Sequence, residues 1–322
     1  MMWSTIQSWF APKPKISGDD EALIERLVDI AHPHIRLARN YQSRLVSYIG
    51  WAHAHATALA TQLPDPIALT VENWRENRTL QLLFATPDRM SEIVGGDTEL
   101  QTWFATWPLS DIAYVGLIAD ANEKTRYGMC EIDGQIRQDV PQKLLIFANH
   151  RIGIPAESPD ALVQLGALRI LDTVANQAQL AIAAIENKKK QIDDELINAR
   201  TMLRMHGNTP SAAQTAQKER IKTLTTELQS IHEMLNPEAM CELLITELAA
   251  TPDIVQLHIH SCNVDRMGVV DGEDSDNQII ELPELILQRE TPIEKLILLV
   301  SVPRTLMQPP AKNTQFPDQA IF

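Results

Sequence analysis

Apolar and polar positions along this chain follow two rhythms, and the helical one is plainest between Ser158 and about Leu235. Ser158-Pro159-Asp160 opens a helix, Gly207 closes it, Thr209-Pro210 opens a second, and Asn236-Pro237-Glu238 opens a third. Each opening puts a side-chain oxygen at the N-cap and a proline at the first helical position, where a missing N–H costs nothing. The first helix, about 48 residues at 1.5 Å each, would run roughly 70 Å. In its second half Ile185, Ile192, Leu196, Ala199 and Leu203 keep a four-three spacing interrupted by Lys189. The partner helix repeats Ile221, Leu224, Leu228, Ile231 and Leu235 without interruption. Such spacing gives each helix one apolar seam, and the short connection favours antiparallel pairing within one chain, a coiled-coil hairpin. So narrow an arm usually covers its remaining face with a neighbour. Self-association as a dimer is therefore expected through Ile192, Leu196, Leu203, Ile221, Leu224, Leu228 and Ile231. The first half of the long helix (Leu162, Leu165, Leu168, Leu171, Val174, Ala178 and 180–185) is apolar over a wider face and is expected to pack on an N-terminal sheet.

On either side the rhythm is strand-like. A helix starts near Asp19 with a kink expected at Pro33. Ala38, Tyr41, Leu45, Tyr48, Ala52, Ala56, Leu59 and Leu63 then recur at helical spacing. Strands are expected at 67–71 and 80–84, a short helix from Thr86-Pro87 to Gly95-Gly96, and another short helix carrying Trp103. Further strands are expected at 112–119, 126–132 and 143–148, with a turn at Asp133-Gly134. After a helix over 238–249, strands return at 254–262, 266–270, 278–282 and 295–302. The pattern predicts an α+β fold around antiparallel sheet, with long flanking helices. It divides the chain into a tail (1–18), a first α+β domain (19–184), the hairpin (185–235), a smaller C-terminal α+β domain (236–307) and a proline-rich polar tail (308–322). A faint repeat links the two sheets: Asp111-Ile112 matches Asp253-Ile254, Gly128-Met129 matches Gly268-Val269, and Lys143 to Ile146 matches Lys295 to Leu298.

Composition narrows the function classes. The 322 residues carry 28 Lys and Arg against 42 Asp and Glu, a net charge of −14, with pI near 5.1. That balance excludes a nucleic-acid binder, which needs clustered cations. The one basic run, Lys188 to Lys190, is followed by Asp193-Asp194-Glu195 and reads as a solvated helix face. Cys130, Cys241 and Cys262 form no CxxC and no even set, which suits a reducing compartment. There is neither a long apolar span nor a leader-like start, so a cytoplasmic protein is expected.

Leu171 to Lys190, LDTVANQAQLAIAAIENKKK, resembles the closing helix of GAF-type sensory domains, an Ala-rich apolar helix that runs on into a signalling coiled coil. The order of elements before it is compatible with that fold. The resemblance implies a ligand-sensing or scaffolding domain over about 19–190. The Asn-Lys pattern of the cyclic-nucleotide-binding members is missing, and Cys130 lies inside an expected strand, so no ligand is implied.

The sharpest site-like cluster is His258-Ile259-His260-Ser261-Cys262. On a strand His258, His260 and Cys262 share a face, and imidazoles with a thiolate suit Zn²⁺, with Asp265 as a further candidate. The outer two side chains stand nearly 14 Å apart at about 3.4 Å per residue, so His258 and His260 with an outside partner make the candidate metal pair. The pairs His32/His34 and His53/His55 lie two apart on helices, cannot chelate together, and read as surface or capping histidines. The acidic run 271–276 lacks the EF-hand spacing. In the N-terminal tail Trp3, Ile6 and Phe10 share a helical face with Trp9 nearby, the mark of a segment that docks in a partner groove or touches a membrane surface. Walker A, GxGxxG, HExxH and GxSxG patterns are missing. The chain is therefore expected to be a non-enzymatic regulatory or scaffold protein acting through its arm and tail, with no resident cofactor. A metal-binding protein or metal-dependent enzyme built on His258 and His260 is the alternative.

Overall fold

The computed structural model describes residues 18–132, 135–205, 212–270, 277–288 and 291–307. In chain order these form α1 (Gly18–Ala31), a 3₁₀ turn (Pro33–Leu37), α2 (Tyr41–Ala60), β1 (Ile67–Ala68), α3 (Val71–Glu76), α4 (Arg78–Leu83), α5 (Pro87–Gly95) and α6 (Thr98–Thr106). Then come β2 (Ile112–Ile132), β3 (Gln135–Ile152), α7 (Pro159–Met205), α8 (Ala212–Met234), α9 (Pro237–Ala249), α10 (Thr251–Ile254), β4 (Val255–Val264), β5 (Gln278–Leu287), β6 (Ile293–Pro303) and a closing 3₁₀ turn (Arg304–Met307). The fold is mixed helix and strand. The chain divides into two compact units, Met1–Ala56 with Leu168–Pro252, and Thr57–Ala167 with Asp253–Phe322.

The first unit is helical. Its buried positions follow the 3.6 period: Ile24, Leu27, Val28 and Ala31 on α1, Leu45, Ile49, Ala52 and Ala56 on α2, Leu171, Val174, Ala175, Ala178 and Ile182 on α7, and Cys241, Leu244, Ile245 and Leu248 on α9. Charge pairs fix which helices meet. Arg26 holds the buried carboxylate of Asp172 through Nε (2.8 Å) and Nη2 (2.7 Å), tying α1 to α7. Arg44 reaches both Glu238 and Glu242, one turn apart on α9. Pro33 breaks the first helix instead of kinking it: the backbone restarts as a 3₁₀ turn, with His32 Nδ1 accepting from the His34 N–H at 3.2 Å.

Beyond about residue 190, the buried residues of α7 pack against α8. Ile192, Leu196, Ala199, Leu224 and Ile231 bury one another, flanked by half-buried Ile185, Ile221, Leu228 and Leu235. An ion pair joins Glu195 and Arg220 across the two helices. The expected loop signals Gly207 and Thr209-Pro210 lie outside the described residues.

The second unit is built on a sheet of order β3-β2-β6-β5-β4, antiparallel throughout, with short β1 parallel to β6. Here the domain reading is corrected. The strands expected to form a separate C-terminal domain join the same sheet, because β6 pairs with β2 from Ile112↔Pro303 to Ala119↔Leu296. The segments matched as a repeat are accordingly not equivalent. Lys143 lies on β3, an edge strand, and Lys295 on the central β6, while Asp253 sits in α10. Alternation sends Ala113, Val115, Leu117, Ala119, Ile280, Leu282, Leu296, Leu298, Val300 and Val302 to one face. There they meet Leu80, Leu83, Phe84, Met90, Val94, Leu100 and Phe104 from α4 to α6. On the other face Tyr114 and Leu299 pack with Leu63, Ala156, Leu162 and Leu165. Of the wide apolar face of α7, then, the first turns belong to the sheet unit, and the part from Leu168 onward belongs to the helical unit.

Several expected strands change. Residues 80–83 are helical, with Asn77 capping α4 through its Oδ1, which accepts from Leu80 N at 3.1 Å, and Phe84 ending it; a five-residue apolar run cannot distinguish strand from helix by itself. The segments 112–119 and 126–132 are one strand: past Ala119, β2 pairs only with β3 as a two-stranded ribbon, so its polar residues there face water on both sides. The stretch expected as strand 266–270 is a turn that docks on β3, with Leu145 N donating to Gly268 O (2.8 Å) and Val270 N to Lys143 O (2.9 Å). Gly268 has φ +82°, and a Cβ there would stand 2.9 Å from the Leu145 carbonyl.

Leu224→Ala should cost about 2–5 kcal/mol locally, read by hydrogen exchange as lost protection in α8 and the end of α7 with β2 and β6 unchanged. A second expectation concerns acid. The Tyr41 hydroxyl, 2.5 Å from Glu25, and then Arg36 hold the Glu25 carboxyl below its usual range. Its folded value lies under the unfolded one, so its stabilisation is complete above about pH 4.3 and fades as pH falls through the folded value. Urea unfolding at pH 6 and pH 3.5 should show a smaller acid loss in Glu25→Gln than in the wild type.

Candidate functional site

Of the residues singled out from sequence, those of the arm are brought together. Ile192, Leu196, Leu224 and Ile231 are buried and Ile221 and Leu228 half-buried within the α7–α8 seam, with Leu203 half-buried farther along α7. The seam is spent inside the chain, which corrects its use as a surface for a second copy; Ile197, Met202 and Met205 are the exposed apolar residues of that arm on α7. Trp3, Ile6, Trp9 and Phe10 lie outside the described residues, as do Cys130's surroundings, the run 271–276 and the tail from 308. His258 and His260 are exposed on β4, the edge strand, with ring centroids 6.0 Å apart. His260 Nε2 lies 3.5 Å from Glu284 Oε2 on β5. Among the described residues no three His, Cys, Asp or Glu side chains are placed to hold one metal ion.

A different feature stands out in the sheet unit. Along α6, Thr98, Thr102 and Thr106 recur every fourth residue beside Trp103 and Trp107, and with Glu99, Ile154 and Pro155 they line a groove of about 500 Å³. Asp97 starts the helix by accepting from Leu100 N at 2.9 Å. The threonine hydroxyls turn back on the helix, Thr102 to Thr98 O (2.7 Å) and Thr106 to Thr102 O (2.9 Å). The hydroxyl donors of Thr102 and Thr106 are thus used internally, and the groove is mainly methyl and aromatic surface.

The two indoles lie 6.5 Å apart, tilted by 33°. Trp103 also meets the Phe104 ring edge-on at 5.0 Å. Trp107 is half exposed, and the neighbouring Leu109 is 95% exposed. A comparison within the molecule defines the groove's polar character. Trp74 Nε1 donates to Phe84 O at 2.8 Å, whereas the Nε1 groups of Trp103 and Trp107 have no protein acceptor among the described residues. Exposed indoles with unspent donors present flat apolar area together with directed N–H groups.

Both walls are held by the sheet. Ile154 and Pro155 follow β3 directly, and their path is fixed by Gly153 N to Gly116 O (2.8 Å) and by the reciprocal Tyr114–Ala156 pair (2.9 and 2.8 Å). The C-terminal end of α6 is held by Arg304, just after β6. Its guanidinium donates to Phe104 O (3.1 Å), Trp107 O (2.5 Å) and Ser110 O (2.8 Å), and lies 4.7 Å above the Phe104 ring. A cation on the last carbonyls of a helix satisfies the acceptors its geometry leaves unpaired. The sequence held a signal for this site: two tryptophans four apart on a short helix, with threonines in the same rhythm, place large aromatic area on one exposed face.

Arg304→Ala removes four charge-assisted bonds to three carbonyls and should lower unfolding free energy by about 2 kcal/mol, seen as a lower melting temperature with broadened Trp107 indole resonance. No family model, curated protein or solved structure matches this chain, and no described helix is long and apolar enough to cross a membrane.

Proposed function

We propose that this chain is a non-enzymatic regulatory or scaffold protein, an adaptor whose α6 groove takes an extended, proline-rich segment of a protein partner. The observation behind the reading is the pair of unspent indole donors over an apolar floor. A polyproline-type segment has no internal hydrogen bonds, presents bare carbonyls and offers flat ring faces, so it complements aromatic grooves that donate N–H. Glu99 at the rim favours a Lys or Arg beside the prolines.

The helical unit supplies mechanics in this proposal. Its coiled-coil hairpin acts as a spacer, and self-association falls to the exposed Ile197, Met202 and Met205 rather than to the seam. The GAF-like reading of Leu171 to Lys190 supports a sensory or scaffolding role with one change. The helix is internal to the chain's path, since three strands of the sheet follow it. The Trp-bearing N-terminal tail is a second docking element, and the cytoplasm is the compartment that suits the free Cys241 and Cys262.

The test is a titration of the intact protein with decaproline, following the Trp103 and Trp107 indole N–H resonances. Both should shift, and Trp107→Ala should weaken binding at least tenfold. Unmoved indole resonances up to several millimolar peptide would remove the reading.

A further inference from the structure

We infer that the outer edge of β4 is a contact between two copies of this chain, which pair β4 with β4 antiparallel about a two-fold axis at Ile259 and so continue the sheet across both molecules. The inference goes beyond the adaptor reading and uses neither the α6 groove nor the exposed apolar residues of the arm. Its ground is the difference between β4 and the other open edges of the sheet.

A sheet edge presents N–H and C=O groups that another strand can take up, and proteins blunt such edges with charge, proline, bulges or cover. Two open edges here are blunted. β3 carries Pro141, Lys143 and Arg151, and the turn at 268–270 covers it through Lys143 and Leu145. Past Ala119, β2 pairs with β3 alone, and the exposed run Glu123-Lys124-Thr125-Arg126 lies along its other side. Strands that pair antiparallel about a two-fold axis keep their faces, so residues an even number apart meet. Centred at any of these four positions, the run would set Glu against Glu, Lys against Lys, Lys against Arg or Arg against Arg, which repels a copy of itself.

β4 carries none of these devices. Val255–Val264 contains no Lys, Arg, Asp, Glu, Pro or Gly. It pairs with β5 without a bulge from Val255↔Leu287 to Val264↔Gln278. Val264 bridges Val270 at one end. Among the described residues no other backbone hydrogen bond joins 256–263 to anything but β5. That leaves a straight edge of roughly 27 Å at 3.4 Å per residue, with His258 to Ser261 exposed along it.

What the edge carries selects a second copy as its occupant. About Ile259, which is 43% exposed, the isoleucine meets its own copy, His258 meets His260 of the second copy, and Leu257 meets Ser261. No carboxylate or ammonium group opposes its like. On the histidine face, Glu284 lies opposite His258 on β5, and its Oε2 is 3.5 Å from His260 Nε2. In the pair, two Glu284 carboxylates therefore flank four imidazoles, two from each chain, and this is the charge complementarity of the joint.

The test follows hydrogen exchange of amides 256–262 in the intact chain at low and at high protein concentration. Raising the concentration should slow exchange there at least tenfold in the wild type and leave it unchanged in Ile259→Lys, which sets two cations opposite each other. Ile259→Cys supplies a gain to set beside that loss. Opposed antiparallel residues have Cα atoms about 4.5–5.5 Å apart, within disulfide range, so mild oxidation should cross-link this variant into a dimer. The wild type and Leu257→Cys should not cross-link, since Leu257 and its copy stand about 14 Å apart along the strands. Exchange at 256–262 that ignores concentration, with no cross-link particular to Ile259→Cys, would overturn the β4 contact, as would a dimer that persists in Ile259→Lys with these amides unprotected. Either result leaves the adaptor reading to its own titration of Trp103 and Trp107.

Discussion

The antiparallel pairing of β2 with β6 is the constraint on which the rest of the sheet unit depends. It joins two stretches of chain separated by the whole of α7, α8 and α9, matching Val115 to Val300 and Leu117 to Leu298 at the centre of the core. Each such fully buried side chain contributes about 1.5–3 kcal/mol. The entropic cost of closing so long a loop rises only logarithmically, about 0.6 kcal/mol for each doubling of length. A large helical insertion between β3 and β4 is therefore thermodynamically tolerable. The insertion lowers its own cost further by folding on itself through the α7–α8 seam, and Asp172 ties it to Arg26 of α1.

The groove follows from that pairing. Its one wall continues from β3 and its helix end is gripped by Arg304 from the end of β6; β2 lies between these two strands and fixes both. Tyr114 shows the arrangement in a single residue, paired with Ser301 of β6 on one side and with Ala156 beyond β3 on the other. The aromatic surface on α6 is thus positioned by sheet register, while the α7–α8 seam, for all its length, satisfies itself.

What was legible in the sequence was local. The cap at Ser158 forms as expected, with Ala161 N bonded to its Oγ at 3.1 Å, and the cap at Asn236 forms with Ala239 N at 2.8 Å. The seam residues Ile192, Leu196, Leu224 and Ile231 pack together as their spacing implied. Sheet membership was not legible, because which strand lies beside which is decided by contacts far apart in sequence. The C-terminal strands consequently looked like a domain of their own. Residues 80–84 misled for a subtler reason: Leu-Gln-Leu-Leu-Phe is an apolar run that strand and helix share, and the helix that takes up its first four residues starts from the Asn77 cap. The groove was half legible. Trp103 was placed on a helix, but Trp107, the threonine methyls and Ile154-Pro155 combine only through the sheet.

The central claim, one sheet assembled from both ends of the chain, is tested most directly by methyl–methyl nuclear Overhauser effects in selectively labelled protein. Val115–Val300 and Leu117–Leu298 are opposite neighbours whose Cβ atoms should lie about 4.5–5.5 Å apart, so strong cross-peaks are expected for both pairs. Cross-peaks confined within 112–152 and within 255–303, with none between the two stretches, would contradict it.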